Sequence, residues 1–307
     1  MNVVVMGAGA VGATFGARLA EAGHRVSFVA RGDHLHALRR DGLRLRSTLG
    51  DVHLHPVTAL AEPGEAGEAD LVLFTVKAQD SEEAVRRIAP IVGPATRVLT
   101  LQNGIDGVET LRRAFGDERV FGGVAYIEAV IVSPGEVVHK SPFARIVFGP
   151  LSGAADPRAD ATLEAFEEAG VEASLEADPM VAVWRKWLLI CAFSGMTALT
   201  RKPIGPIVER AETRRLLRAA MQEIADLAAA RGVALPEDAV DAAMELATHS
   251  FEPTMTSSLA QDLAAGKPLE LEALNGAASR WGRDLGVPTP VNDFIYAALV
   301  LHAAGEA

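Results

Sequence analysis

MNVVVMGAGAVGATFGARLAEAGHRVSFVAR, residues 1–31, is the stretch that decides the fold. Val3, Val4 and Val5 form a β-branched apolar run of the kind that fills a strand buried on both faces. Gly7-Ala8-Gly9-Ala10-Val11-Gly12 follows as G-x-G-x-x-G, and a helix-like pattern from Ala10 to Ala22 stops at Gly23. Val26 to Val29 reads as a second buried strand. Strand, glycine turn, helix and strand within about 30 residues are the frame that gives this fingerprint its meaning as a dinucleotide site. Gly7 permits the tight turn, Gly9 lets backbone approach a pyrophosphate, and Gly12 lets the helix pack closely on the strand. The helix N-terminus then offers free N–H groups to phosphate. The plain alternative, a glycine-rich turn, does not account for the surrounding frame.

Sites that prefer NAD place an acidic residue about 20 residues beyond the glycines, on a ribose hydroxyl. Here that place holds Val29-Ala30-Arg31-Gly32. Arg31 cannot accept a hydroxyl, but its guanidinium can form charge-assisted bonds to a 2′-phosphate, so the expected cofactor is NADP(H). Two other readings stay open: Arg31 as a solvated loop charge, or Asp33 reaching back to the ribose.

The chain has 307 residues, enough for two domains. Its 49% hydrophobic and 22% charged composition is that of an ordinary globular protein. A net charge of −11 argues against nucleic acid or an anionic membrane as partner. No apolar run reaches membrane-spanning length, and no targeting pattern precedes the first strand. The single cysteine, Cys191, lies in an apolar run and reads as a packing thiol in a reducing compartment. A cytoplasmic location is the expectation. His34 with His36 and His53 with His55 share metal-like spacing but have no constellation of Cys, Asp or Glu beside them, so they read as solvated loop and strand histidines, with no metal site.

Residues 43–57 read as a hairpin turning at Gly50-Asp51. Leu71 to Val76 is another fully apolar strand, ending at Lys77, with a helix expected from Glu82 to Ala89. The strand Arg97 to Leu101 ends in Gln102-Asn103-Gly104. Ligands bind at the carboxyl ends of strands in open parallel sheets, which places Lys77 and Asn103 toward the cofactor crevice. A surface lysine and a turn asparagine are their plainer readings. Val120 to Tyr126 and Glu136 to Phe148 are expected as further strands, and Ala159 to Ala169 as a helix. From Asp178 on, the pattern is helical throughout, with helices near 178–200, 207–230, 237–248, 253–265, 269–284 and 291–304. The fold class is therefore α/β: a Rossmann-type dinucleotide-binding domain over 1–177 and an all-helical domain over 178–307. The active site is expected in the cleft between the two domains.

Lys186 is a lysine in an otherwise apolar helix, with Ile190 and Ser194 on its face. It reads either as a snorkelling lysine or as a cationic proton donor to the alkoxide left by ketone reduction. Glu270 reads either as a helix N-terminal carboxylate answering the macrodipole or as a carboxylate that orients the lysine or bonds a hydroxyl.

Taken together these motifs resemble the ketopantoate reductase family, NADPH-dependent 2-dehydropantoate 2-reductases, over nearly the whole chain. The resemblance rests on Gly7 to Gly12, Arg31, Thr75-Val76-Lys77-Ala78-Gln79, Gln102-Asn103-Gly104, Trp184-Arg185-Lys186, the 257–262 segment and Glu270 to Gly276. It implies that Lys186 is the general acid and that Glu270 is the carboxylate near the nicotinamide ribose and substrate. It further implies that Asn103 and Lys77 touch cofactor and reacting centre, that Arg31 holds the 2′-phosphate, that Ser258 contacts substrate, and that Ala129 meets the cofactor through its backbone. The family carries substrate-holding asparagines four and eight positions after the lysine, and one after the helix. Here those positions are Ile190, Ser194 and Ile204. An unpaired buried polar group costs about 1–3 kcal/mol, so these replacements point to a less polar or differently held 2-oxo compound.

The expected activity is NADPH-dependent reduction of a 2-oxo acid, with 2-dehydropantoate in front. A paralogue acting on a more apolar 2-oxo acid or ketone comes next, and then a non-catalytic NADP-sensing protein, which would have no use for Lys186 or Glu270. A hydroxy-acid or opine dehydrogenase shares the N-terminal motif but leaves Lys186 and Glu270 without a role. A homodimer is compatible with a helical domain of this kind, although no exposed stripe demands one.

Overall fold

The computed structural model describes residues 1–305. It contains two compact units, Met1–Gln102 with Gly107–Ala182, and Asn103–Asp106 with Val183–Ala307.

In the first unit the fingerprint becomes β1 (Asn2–Met6), α1 (Ala10–Glu21) and β2 (Arg25–Val29), as the sequence predicts. There follow α2 (Gly32–Asp41), β3 (Leu43–Ser47), β4 (Val52–Leu54), β5 (Thr58–Leu60), β6 (Leu71–Phe74), α3 (Ser81–Ile88), β7 (Arg97–Thr100), α4 (Asp106–Phe115) and β8 (Val120–Tyr126). After these come β9 (Ala129–Ser133), β10 (Glu136–His139), β11 (Arg145–Pro150), α5 (Pro157–Glu168) and β12 (Glu172–Leu175).

Eight strands form one sheet in the order β12-β11-β8-β7-β6-β1-β2-β5. From β5 to β8 every pairing is parallel, with Val4 opposite both Ser27 and Val72. The strand order reverses between β1 and β6, the switch point at which doubly wound sheets bind ligands. Alternate residues of the strands feed two cores. Val3, Val5, Leu73 and Leu99 pack with Phe15 of α1 and Phe166 of α5, whereas Val4, Met6, Val72 and Val98 pack with Ile88 and Leu111. Both faces are covered, which is why these strands read as unbroken apolar runs.

The predicted hairpin is present as β3 and β4, with Leu45 opposite Val52, but it belongs to a larger second sheet, β4-β3-β10-β9. The expected strand over Glu136 to Phe148 is two strands in different sheets. Pro142 lies in the Lys140–Ala144 stretch between them and cannot donate to a ladder. His34 and His36 lie on α2 rather than in a loop, and His34 Nδ1 accepts from Gly135 N at 3.1 Å. His53 and His55 are exposed and stack on each other.

The helices that follow are α6 (Pro179–Thr200), α7 (Ile204–Glu209), α8 (Ala211–Ala230), α9 (Ala239–Glu245), α10 (Ser258–Ala264), α11 (Asn275–Leu285) and α12 (Pro290–Leu299). Asp178 Oδ1 accepts from Met180 N at 3.0 Å, the predicted cap of α6. The helix expected over 207–230 breaks at Arg210, which is extended at φ −85°, ψ 128°. The one expected over 269–284 becomes a short turn, Leu271–Ala273, followed by α11, with Leu274 at φ −105°, ψ −99° between them.

Trp184, Trp187, Leu188 and Cys191 bury α6, and Leu217, Met221, Ile224 and Ala228 supply the predicted stripe of α8. The Cys191 thiol donates to Asn292 Oδ1 at 3.3 Å, and burial raises its pKa well above the usual thiol range, with Glu223 adding to the rise. That environment suits the packing role. Glu223 is buried under α12, where it accepts from Val291 N, Asn292 N and Asn292 Nδ2 at 2.8, 3.0 and 2.7 Å. No helix among the described residues is long and apolar enough to cross a membrane.

Candidate active site

The glycine turn is built tightly around β6. Gly7 has φ +97°, and a Cβ there would stand 2.8 Å from Val76 N. A Cβ on Gly12 would collide with Thr75 Oγ1 and Gly7 O. Thr75 Oγ1 donates to Gly7 O at 2.7 Å and Thr75 N to Met6 O at 2.9 Å, while Ala8 N donates to Val29 O at 2.9 Å. These bonds fix the turn against β1, β2 and β6. Gly9 differs, because a Cβ there would meet nothing within 4 Å. It caps α1, whose first turn has no side-chain cap and no acidic residue. Half-buried Ala10 and Val11 open the helix beside it. A rigid turn, an open approach at Gly9 and uncommitted helix N–H groups fit the pyrophosphate of a dinucleotide.

Beyond β2 lies a depression of about 440 Å³ lined by Ala30, Arg31, Gly32, Leu35, Ala61, Glu62, Glu83 and Arg87. Its position at the carboxyl end of β2 suits the adenosine half of such a cofactor. Arg31 Nη2 donates to Asp80 Oδ2 at 2.7 Å, a partner that sequence reasoning missed because an aspartate at a helix start reads as a cap. Asp33 is exposed in the first turn of α2. Lys77 follows β6 and is exposed. Gln102 Nε2 donates to Val76 O and Ser81 Oγ at 2.9 and 2.8 Å, tying the end of β7 to the segment after β6. Ala129 opens β9 opposite His139, in the small sheet.

In the helical unit, Lys186 of α6 is half-buried, and its Nζ donates to Asn103 Oδ1 at 2.9 Å. Burial lowers the ammonium pKa from 10.5 to about 8, against the pull of the Glu270 carboxylate, which favours the charged form. Glu270 is half-buried and precedes the Leu271–Ala273 turn rather than opening α11, so the macrodipole of a long helix does not explain it. The segment that carries Asn103 is itself clamped. The Asp106 carboxylate accepts from Arg280 Nη2 and from Trp281 Nε1, the latter at 3.3 Å, and a Cβ on Gly104 would collide with Ala273 O. Neither Asp106 nor Arg280 stood out in the sequence, since they are 174 residues apart. An ammonium bonded to a neutral amide and favoured by a nearby carboxylate, with a pKa lowered to about 8, can give a proton to a developing oxyanion.

The family model described as ketopantoate reductase PanE/ApbA matches residues 3–153, and that of its C-terminal part matches residues 178–303. The chain belongs to the ketopantoate reductase family. It is an oxidoreductase acting on a CH–OH group. A 2-dehydropantoate 2-reductase from Mesorhizobium japonicum is 32% identical over 330 residues, covering 100% of this chain and 98% of that protein. The crystal structure of a PanE/ApbA family ketopantoate reductase from Ralstonia eutropha is 36% identical with a TM-score of 0.89, covering 99% of this chain and 98% of that one. A D-mandelate dehydrogenase solved with NADH and anilino(oxo)acetate has a TM-score of 0.90 at 21% identity, covering 99% and 98% of the two chains, a likeness of fold.

Ketopantoate reductase resemblance also singled out Ser258 and the positions of Ile190, Ser194 and Ile204. Ser258 is exposed at the start of α10. Its neighbour Ser257 is buried and committed, accepting from Ala260 N at 3.1 Å and sharing a 2.8 Å bond with Thr197 Oγ1. Ile190 is half-buried one turn after Lys186, and Ser194 is buried one turn further. Ile204 is fully buried at the start of α7, where its side chain is part of the packing.

Proposed function

We propose that this ketopantoate reductase family member reduces a 2-oxo acid with NADPH, and that 2-dehydropantoate is its leading substrate. The observation that carries the reading is the Lys186 ammonium, bonded to Asn103 and favoured in its charged form by Glu270, with its pKa brought to about 8. The sheet unit with its glycine turn would hold the cofactor and the helical unit would supply the acid, which keeps the division near residue 178. Residues 7–12 would take the pyrophosphate, Arg31 the 2′-phosphate, and Lys77, Asn103, Ala129 and Glu270 the remaining cofactor contacts. Ser194, Ser258 and Asn103 would border the substrate. The cofactor, when bound, supplies the hydride. Lys186 breaks one N–H bond as the substrate oxygen gains its proton, and the neutral amine then recovers a proton from water. Glu270 favours the charged form of that ammonium against the desolvation that lowers its pKa.

A second reading is favoured by Ile190, half-buried beside the lysine. An aliphatic side chain there suits an apolar substituent and leaves a polyol unpaired, which would select a more apolar 2-oxo acid. The single buried cysteine is in keeping with a reducing, cytoplasmic setting.

One experiment tests both readings: initial rates of NADPH oxidation with 2-dehydropantoate and with larger, more apolar 2-oxo acids, for the wild type and Lys186→Ala. Turnover should fall by about 10²–10⁴-fold in the variant, while NADPH binding persists. Unchanged turnover in a folded variant removes Lys186 from the mechanism. Activity confined to 2-dehydropantoate removes the apolar-substrate reading.

A further inference from the structure

We propose that Asp80 is a cofactor-specificity residue, restraining the preference for a 2′-phosphate that Arg31 supplies. The proposal rests on the reading that the glycine turn binds a nicotinamide dinucleotide with its adenosine ribose near Arg31.

Asp80 stands at the N-cap of α3, where an aspartate ordinarily accepts from N–H groups of its own first turn. It makes no such bond. Its Oδ2 instead accepts from Arg31 Nη2 at 2.7 Å. The carboxylate is the better shielded partner, with 30% of its side chain exposed against 78% for Arg31. The other charges around the depression do not compensate. Arg31 and Arg87 are matched there by Glu62 and Glu83, and Arg87 is already engaged by Ala61 O and the Glu62 carboxylate. With Asp80 added, the charged residues that line the depression, Arg31 and Arg87 against Glu62 and Glu83, come to a net negative charge.

A phosphate seated on Arg31 would share that guanidinium with Asp80 and bring like charge within a few ångströms of the carboxylate. The 2′,3′-diol of an unphosphorylated ribose brings no charge, and a carboxylate is the acceptor that such diols use. The Arg31–Asp80 pair is thus arranged to accept either ribose, with the arginine answering the phosphate and the aspartate answering the hydroxyl. The arginine alone, as it reads in the sequence, would favour the phosphate strongly.

Asp80→Asn keeps the shape and an oxygen acceptor for Arg31 while removing the charge. Titrating NADPH and NADH against the full-length wild type, Asp80→Asn and Arg31→Ala, with nicotinamide fluorescence as the signal, gives a ratio of affinities for each protein. Asp80→Asn should raise the NADPH-to-NADH ratio by about tenfold, and Arg31→Ala should lower it. A ratio that stays put or falls in Asp80→Asn, while Arg31→Ala lowers it, overturns the role of Asp80 and leaves the Arg31 reading standing. If the wild type binds neither nucleotide, the dinucleotide reading fails and takes the proposal with it.

Discussion

Lys186 holds its proton against the pull of its surroundings. Burial brings its pKa from 10.5 to about 8, with Glu270 opposing the fall. At 1.36 kcal/mol for each pKa step, the folded protein spends about 3 kcal/mol to keep this ammonium charged. If that ammonium is the acid, kcat/KM for reduction is level at lower pH and falls tenfold for each pH step above about 8, since kcat/KM follows the free enzyme. Glu270→Gln preserves the shape and removes the charge that supports the ammonium. The descending limb should therefore move to lower pH in the variant, whatever the height of its acid-side plateau. Initial rates of NADPH oxidation between about pH 6 and 10 at constant ionic strength would read this directly. A limb at the same pH in both proteins would refute the pairing of Glu270 with Lys186. A flat wild-type profile would refute Lys186 as the acid. Stability moves in the opposite sense. Between about pH 8 and 10.5 the unfolded chain binds more protons at this site than the folded one, so the unfavourable contribution of Lys186 fades as pH rises through that window.

Gly12→Ala should destabilise the first unit by about 1–3 kcal/mol, because its Cβ would collide with Thr75 Oγ1 and Gly7 O. Gly9→Ala meets open space, so it should leave the melting temperature nearly unchanged and weaken nucleotide binding; thermal melts beside NADPH titrations separate the two cases. Arg280→Met removes one of the two donors that hold Asp106 and should lower turnover by about tenfold or more while weakening NADPH binding, because it loosens the segment that positions Asn103. Glu223→Ala, which strips three N–H donors of their buried acceptor, should cost about 2–5 kcal/mol in denaturant unfolding.

The parts of the fold legible in the sequence are those fixed by local chemistry. Residues 1–31 announce strand, turn, helix and strand because both faces of the sheet are covered and the turn needs its glycines. Asp178-Pro179 announces α6 because a cap and a first-turn proline act within four residues. The second sheet was hidden because β3 and β10 pair in parallel across about ninety residues of chain, from Arg44 with Glu136 to Ser47 with His139. The break at Arg210 was hidden as well, since no glycine or proline marks it. For the site, Lys186 and Glu270 were visible as charges in apolar surroundings. Asp80, Asp106 and Arg280 were invisible because each acts through a partner that only the fold brings near, and each has an ordinary surface reading when taken alone.

The four residues Asn103–Asp106 belong with the helical unit although they sit in the middle of the sheet unit's chain. Asn103 leaves the ribosome 83 residues before the lysine that it bonds, so synthesis delivers one member of the Lys186–Asn103 pair well ahead of the other. A fragment beginning at α6 would carry Lys186 without its carbonyl acceptor and Arg280 without Asp106. The two units can be described apart, yet neither is a contiguous length of polypeptide. Exchanging domains between relatives of this enzyme would therefore have to move the 103–106 strip together with the helices, or the chimera would inherit an ammonium with its amide partner taken from another lineage.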